Sequence, residues 1–404
     1  MKKSSYLVAA LGASACVAHA QSSVTLYGVI DEGLEYVSNV KTGPGQGKPL
    51  IWLDSSSGEQ GSRWGLKGSE DLGNGLKAIF QLENGFEVNN GKLNQGGAMF
   101  GRQAFVGLSG TQWGTVTLGR QYDSVVDYVE TLTAAAQWGS HRAAHPGDLD
   151  NETNSYRSNN SVKFASNNYG GFTFGGLYSF GGQAGQFTQN QIYSVGARYA
   201  TGSVTVAAGY VNARNANVSY FGNNPNSGGP TTNNIAASTN PVFSGYASAH
   251  TFQIITGGVG YTLGGAQFGV VYSNVKFMAL GDTAGSGPNP QHYTGTATFN
   301  DVEVNADYHF TPSFLVGFAY NFTKGNSVSS TQATVQNTGV KYHQFTLGAD
   351  YNLSKRTDVY LVGVYQKASG VDSTGQQAVA SIPTETAASG NHAAVVRAGF
   401  RVKF

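Results

Sequence analysis

Toward its C-terminus the chain alternates strictly. Ala394, Val396, Ala398, Phe400, Val402 and Phe404 are apolar, and Arg397, Gly399, Arg401 and Lys403 fall between them. A period of two is the pattern of a β-strand with unlike faces. The stretch has about the 9–11 residues that a tilted strand needs to cross a bilayer, and a basic side chain facing lipid at mid-depth costs roughly 2–4 kcal/mol. The basic face must therefore look into a wet interior. The same alternation begins at Ser23, with Val24, Leu26 and Ile30 on one face and Thr25, Asp31 and Glu35 on the other. A long Gly/Pro/Ser loop then runs to Gly61, a second strand covers Arg63 to Ser69, and Glu70 to Gly75 makes a tight turn into a third strand, Leu76 to Glu87. Short breaks continue at Gly110 to Gly114, Asn167 to Gly171, Thr201-Gly202, Gly264-Gly265, Thr311 to Ser313 and Ser354 to Arg356. Long polar stretches lie between them, at 121–156, 212–250, 278–297, 323–341 and 367–391. The runs between breaks number sixteen. Alternating short turns and long loops predict an all-β fold, a transmembrane antiparallel up-and-down β-barrel of 16 strands with both termini at the short-turn end. Tyr199, Tyr261, Tyr308, Phe310 and Tyr351 each stand at outward parity just before a short break, as an interfacial aromatic girdle would require.

The N-terminus changes this picture only by subtraction. Met1-Lys2-Lys3 is basic, Tyr6 to Val17 is mostly apolar and small, and Ala18-His19-Ala20 is a small-x-small cleavage site, so residues 1–20 read as a signal peptide and 21–404 as one barrel domain. Cys16, the single cysteine, falls inside the signal, and Ala13 stands where a lipoprotein signal would need a Leu-like residue. Removing Lys2 and Lys3 leaves 22 basic against 23 acidic residues, a balance that does not call for nucleic acid as a partner. Charged residues make up only 12% and glycine numbers 56, unlike a soluble domain, while 12% aromatic residues argue against disorder.

Several ordered stretches carry a family resemblance. They are Val24 to Gly28, Ser62 to Gly73, Gly101 to Leu108, Leu118 to Tyr122, Tyr156 to Ser161, Leu353 to Thr357 and the terminal strand. Together they span essentially the whole mature chain, which resembles the general diffusion porins of Gram-negative bacteria, in particular those of β-proteobacteria. The resemblance implies a homotrimer of barrels in outer-membrane lipid and lipopolysaccharide, each with its third loop folded into the lumen, passing small hydrophilic solutes and ions. The terminal Phe404 resembles the signal read by the barrel assembly machinery.

In such porins a cluster of wall arginines faces carboxylates on the inward loop. Arg63, Arg102 and Arg157 match the wall positions. Parity supports Arg63, which shares a face with Lys67, and Arg157, which shares one with Ser161 and Lys163. Arg102 shares parity with Val106 and Leu108, so lipid cost and resemblance alone place it inward. The loop departs from the enteric Pro-Glu-Phe-Gly-Gly motif and reads His145 to Glu152, so Asp148, Asp150 and Glu152 are the expected facing acids, with Asp123, Asp127 and Glu130 behind them. The three alternating acids also suggest Ca²⁺, but the ligand loop is incomplete, and no metal or cofactor is expected. Ser124 to Ala136, opened by a Ser-x-x-Asp capping box, reads as a short helix packed to the wall through Val125, Val129 and Leu132.

The histidines lack the spacing of barrel phospholipases, and no His-Glu-x-x-His, Gly-x-Ser-x-Gly or phosphate loop occurs, so an enzyme is not expected. A solute-specific channel would need an aromatic slide or a dedicated site, and the inward positions assignable by parity are mostly small, polar or basic. A barrel adhesin would need bulkier loops than these. Lys67, Lys163, Arg397 and Arg401 outnumber acids such as Glu35 and Glu83 at lumen parity, which predicts weak anion preference.

Overall fold

A computed structural model describes residues 23–235 and 240–404. The signal peptide, Cys16 and the cleavage before Gln21 lie outside the described residues.

The parity pattern becomes a closed ring. Its staves are β1 (Ser23–Gly43), β2 (Arg63–Gly73), β3 (Leu76–Gly85), β4 (Gln103–Gly110), β5 (Gly114–Gln121), β6 (Ser158–Ala165), β7 (Phe172–Ser179) and β8 (Ile192–Thr201). The second half is β9 (Val204–Arg214), β10 (Ala249–Leu263), β11 (Ala266–Leu280), β12 (Tyr293–Thr311), β13 (Phe314–Gly325), β14 (Val340–Asn352), β15 (Thr357–Gly370) and β16 (His392–Lys403). Each pairs antiparallel with its neighbours, and β16 closes on β1 from Val29↔Lys403 to Val37↔Val395, giving the 16-stranded barrel. Closure leaves no unpaired edge, which is what lets strands cross lipid at all. Burial is inverted relative to a soluble protein. On β16, Val396 and Phe400 are 43% and 48% exposed, while Arg397 and Arg401 are 0% and 6% exposed. The exposed apolar face is the lipid belt, and the girdle aromatics Tyr199, Tyr261, Tyr308, Phe310 and Tyr351 are all exposed at the short-turn end. The first short turn works because Gly73, Asn74 and Gly75 all adopt positive φ, at 85°, 52° and 75°.

The first long connection differs from its sequence reading. β1 continues to Gly43, turns, and pairs back with a strand segment, Gln46–Asp54, that sits end to end with β2 alongside β1. Only residues 55–62 are loop, and they fold inward, with Ser55, Ser57, Glu59 and Ser62 all buried. A small extra segment, Ser329–Ser330, bridges to the start of β12.

The upper lumen is also less polar than parity suggested. Phe252, Phe277 and Phe299 point inward from β10, β11 and β12 and are buried by Tyr220, Phe221, Phe243 and Tyr246 from the 215–248 connection. Ring centroids of Phe252 and Phe277 lie 4.8 Å apart, and those of Phe243 and Phe277 5.4 Å apart. This apolar fill closes one side of the barrel mouth.

At the seam, Phe404 and Gly28 exchange two backbone hydrogen bonds of 3.0 Å, and the Phe404 ring lies over Gly28, where an added Cβ would stand 2.3 Å from it. Deleting Phe404 removes both bonds, worth roughly 1–3 kcal/mol together, along with the ring's packing. We expect the deletion, or Phe404→Asp, to deplete the folded, heat-modifiable band on a cold-loaded detergent gel far more than Gln332→Asp, an exposed loop change. Equal folded fractions would show that the terminal ring is dispensable.

Candidate functional site: a cavity between the third loop and an arginine wall

The third loop leaves β5 at Gln121 and turns into the barrel. Asp123 caps helix α1 (Ser124–Tyr128), its carboxylate accepting from the amides of Val125 at 2.9 Å and Val126 at 3.3 Å. The cap is thus one residue ahead of the Ser-x-x-Asp box, because Asp123 is extended while Ser124 is already in the first turn. The expected helix is broken into α1, a 3₁₀ turn at Glu130–Leu132 and α2 (Ala134–Gln137). Its packing face is as expected: Val125, Val129 and Leu132 are buried.

The loop then follows the wall from β8 round to β1. Asn305 donates to Leu132 O at 2.9 Å, and the Ala134 amide to Glu303 at 2.8 Å. Trp138 lies flat over Gly317 and Gly348, where an added Cβ would come within 2.2 and 2.6 Å of the indole, so only glycine admits it. The tip is fixed by Gln344, which donates to Ala143 O at 3.1 Å and Ala144 O at 2.9 Å, and by Arg142, whose Nε and Nη2 reach Glu35 of β1 at 2.9 and 2.6 Å.

A cavity of about 300 Å³ lies between this loop and the wall of β2 to β6. Arg63, Arg102, Arg157, Glu83 and Tyr122 line its wall side, and Glu130, His141, Thr153 and Asn154 its loop side. The three sequence-selected arginines are therefore brought together, though two arrive by routes that parity does not describe. Arg102 precedes β4 and is held by its amide bond to Glu83 O at 3.2 Å, so the outward frame of Val106 and Leu108 does not extend to it. β6 carries a register shift, with Gly119 opposite Ser161 but Gln121 opposite Ser158, and Asn160 sits at φ 48°. That bulge interrupts the count between Ser161 and Arg157.

Arg102 donates to Glu83 at 2.7 Å and to Tyr122 at 3.1 Å, and Arg63 stands 3.8 Å from the same carboxylate. Arg157 makes no ion pair among the described residues. It donates to Ser155 O at 3.1 Å and lies over the Tyr122 ring at 5.7 Å.

Asp148, Asp150 and Glu152 do not line this cavity. Asp148 is buried and accepts from the amides of Thr153 and Ser155 at 3.0 Å each. Asp150 accepts from Ser273 at 2.6 Å, and Glu152 from Thr256, both against the opposite wall. Their alternation has no common face because the segment is not a strand: Pro146–Asp148 is a 3₁₀ turn, and Asp148 and Asn151 have φ of 47° and 58°. The loop acid at the cavity is Glu130. Burial, opposed by Arg102 and Arg157 and reinforced by Asp148, pushes its carboxyl up to about 8. His141 is pushed down to about 4 by burial and by Arg102, Arg142 and Arg157, so it is neutral at physiological pH. Of the inward bases counted from parity, Arg397 and Arg401 are not free. Arg397 pairs with Asp54 at 2.8 Å and Asp31 at 3.3 Å, and Arg401 with Glu59 at 2.7 Å and Asp358 at 3.0 Å. Lys163 likewise pairs with Asp127.

Comparison with known proteins agrees with this architecture. The Gram-negative porin family profile matches residues 7–371. An outer membrane porin protein of Bordetella pertussis is 32% identical over 91% of this chain and 94% of its own length. Outer membrane porin protein 32 of Delftia acidovorans is 28% identical over 94% and 93%. Among solved structures, the anion-selective porin from Comamonas acidovorans superposes with a TM-score of 0.67 at 22% identity, covering 95% of this chain and all of that one. The chain belongs to the Gram-negative porin family: it is an outer-membrane diffusion channel and not an enzyme.

Proposed function

We propose that the cavity between the third loop and the arginine wall is the constriction of a weakly anion-selective pore for small hydrophilic solutes and ions, and that the channel works as a homotrimer. The observation that carries this reading is the imbalance of charge at the cavity. Arg63, Arg102 and Arg157 meet Glu83 as the one wall carboxylate, while Glu59 is turned to Arg401 and Glu130 is largely protonated at pH 7. Low-dielectric walls focus the resulting positive field at the narrowest point. Two solved neighbours support the reading: the porin from Comamonas acidovorans is anion-selective, and OmpT of Vibrio cholerae has a trimer form. Lipopolysaccharide and the barrel assembly machinery are the further partners this reading implies.

Reversal potential across a planar bilayer under a KCl gradient tests the proposal. The sign should report modest chloride preference, with no block by any single sugar or amino acid. A cation-side potential, or saturable block by one solute, contradicts it. A pH dependence follows as well. Glu130 binds its proton below about 8, so raising pH through that value adds a negative charge to the cavity and anion preference should weaken between pH 7 and 9. Glu130→Gln should flatten that profile while keeping the neutral-pH selectivity. A profile unchanged by the substitution would remove Glu130 from the constriction.

A further inference from the structure

Three clusters of buried carboxylates lie against the inner wall, and they are neutralised differently. Asp31, Glu35, Asp54 and Glu385 surround Arg142 and Arg397. Glu59, Asp350 and Asp358 surround Arg401. The third holds Asp150 and Glu152 of the third loop with Asp301 and Glu303 of β12, and among the described residues no lysine or arginine pairs with any of them. Its only base is the His145 imidazole. All five side chains are at most 2% exposed.

The imidazole is too little charge for that site. His145 Nε2 lies 3.1 Å from Glu303. Its Nδ1 faces Asp150 at 2.7 Å, Asp301 at 3.4 Å and Glu152 at 3.8 Å. A neutral ring donates from one nitrogen only and leaves the other as an acceptor facing carboxylate oxygens; as imidazolium it offsets one of four carboxylates, and uncompensated buried charge is costly. The Glu152 oxygen aimed at the ring, Oε2, has no hydrogen-bond partner, and Oδ1 of Asp150 has none either. Thr256 holds the outer oxygen of Glu152 and Thr323 that of Asp301, while Ser273 and Asn321 donate to the Asp150 and Asp301 oxygens that face the ring and so orient them, each with a second lone pair left for a ligand.

We propose that His145, Asp150, Glu152 and Asp301 form a binding site for one first-row divalent cation of the zinc type. His145 Nδ1 and one oxygen from each carboxylate supply four ligands, and the candidate atoms of His145, Asp150 and Asp301 already lie within 4.8 Å of one another. Bonds of about 2.1 Å in a tetrahedron set ligand atoms about 3.4 Å apart, close to the Nδ1 to Asp301 spacing. Glu303 on the far ring nitrogen fixes the tautomer, as a second carboxylate does behind many metal-bound histidines. An imidazole ligand favours zinc over the all-oxygen preference of calcium. The ion would tie the returning limb of the third loop to β12, and Thr153 and Asn154, which follow at once, line the cavity. Metal occupancy would thereby set the width and steadiness of the pore.

The test uses the full-length channel, stripped with chelator or refolded with ZnCl₂, dialysed, and assayed by elemental analysis and titration calorimetry. We expect about one zinc per chain, and at least tenfold weaker binding in both His145→Asn and the wall variant Asp301→Asn. Each variant is first checked for its heat-modifiable folded form, and one folded variant suffices. Stripped wild-type channels should show noisier or larger single-channel currents that zinc restores, and the variants should show no such response. No zinc above the level bound by denatured chain overturns the proposal, as does undiminished binding by a folded variant. Binding of Ca²⁺ but not Zn²⁺ also overturns it, because His145 would then not be a ligand.

Discussion

Arg142→Ala should unlatch the third loop and produce a wider, noisier channel. The side chain is 1% exposed and forms a two-pronged bond to Glu35, pairs with Glu385, and donates to Pro383 O at 2.9 Å. Asp54 lies 3.8 Å away and is shared with Arg397. Two guanidinium groups thus serve four buried acids, and taking one away leaves Asp31, Glu35, Asp54 and Glu385 with Arg397 alone. Removing one partner of a buried ion pair typically costs about 3–5 kcal/mol, because the other is left uncompensated. The loop tip would keep the Gln344 amide and the His141 amide bond to Gly58 O, at 3.2 Å, without an ion pair to β1. We expect lower thermal stability and a single-channel conductance that rises and flickers, with Arg142→Lys intermediate, since an ammonium cannot make the forked contact. Parental conductance and melting in Arg142→Ala would show that the latch lies elsewhere, in Trp138 or Gln344.

The barrel was legible because its signal is local. Alternation in β16, the Gly73-Asn74-Gly75 turn and the girdle from Tyr199 to Tyr351 each follow from a few consecutive residues and the cost of charge in lipid. The path of the third loop was not, since its fixing partners are remote in the chain: Arg142 meets Glu35 and Pro383, 107 and 241 residues away. One trace was present in the sequence. Gly317 and Gly348 stand at inward parity on neighbouring strands, and paired inward glycines mark where something large approaches the wall. Asp148, Asp150 and Glu152 do not face the arginines, for a physical reason. Alternating spacing implies a shared face only in extended chain, and this segment turns twice through positive φ. Counting lumen charges by parity failed in the same way. It could not see that Glu59 would fold in to meet Arg401, or Asp54 to meet Arg397. Anion preference is therefore expected from Arg157 and Arg63 at the cavity and not from the ion-paired Arg397 and Arg401.

Arg63, Arg102 and Arg157 should set the field at the narrowest point of the pore. Replacing Arg63 and Arg157 together by serine removes the two cavity guanidinium groups least committed to Glu83, while Arg102 keeps its 2.7 Å bond. A unit charge about 4 Å from a passing ion is worth about 1 kcal/mol in water-like surroundings, or about fivefold in local ion concentration. In 0.1 M salt, where the screening length is about 10 Å, most of that should be felt; at 1 M it falls to about 3 Å and the difference should fade. The deciding measurement is the zero-current potential of the double variant under a low-salt KCl gradient. The expected result is a shift toward cations, equivalent to a several-fold fall in the chloride-to-potassium permeability ratio, with conductance of the same order. A parental reversal potential at low salt would place the constriction away from Arg63 and Arg157 and contradict it.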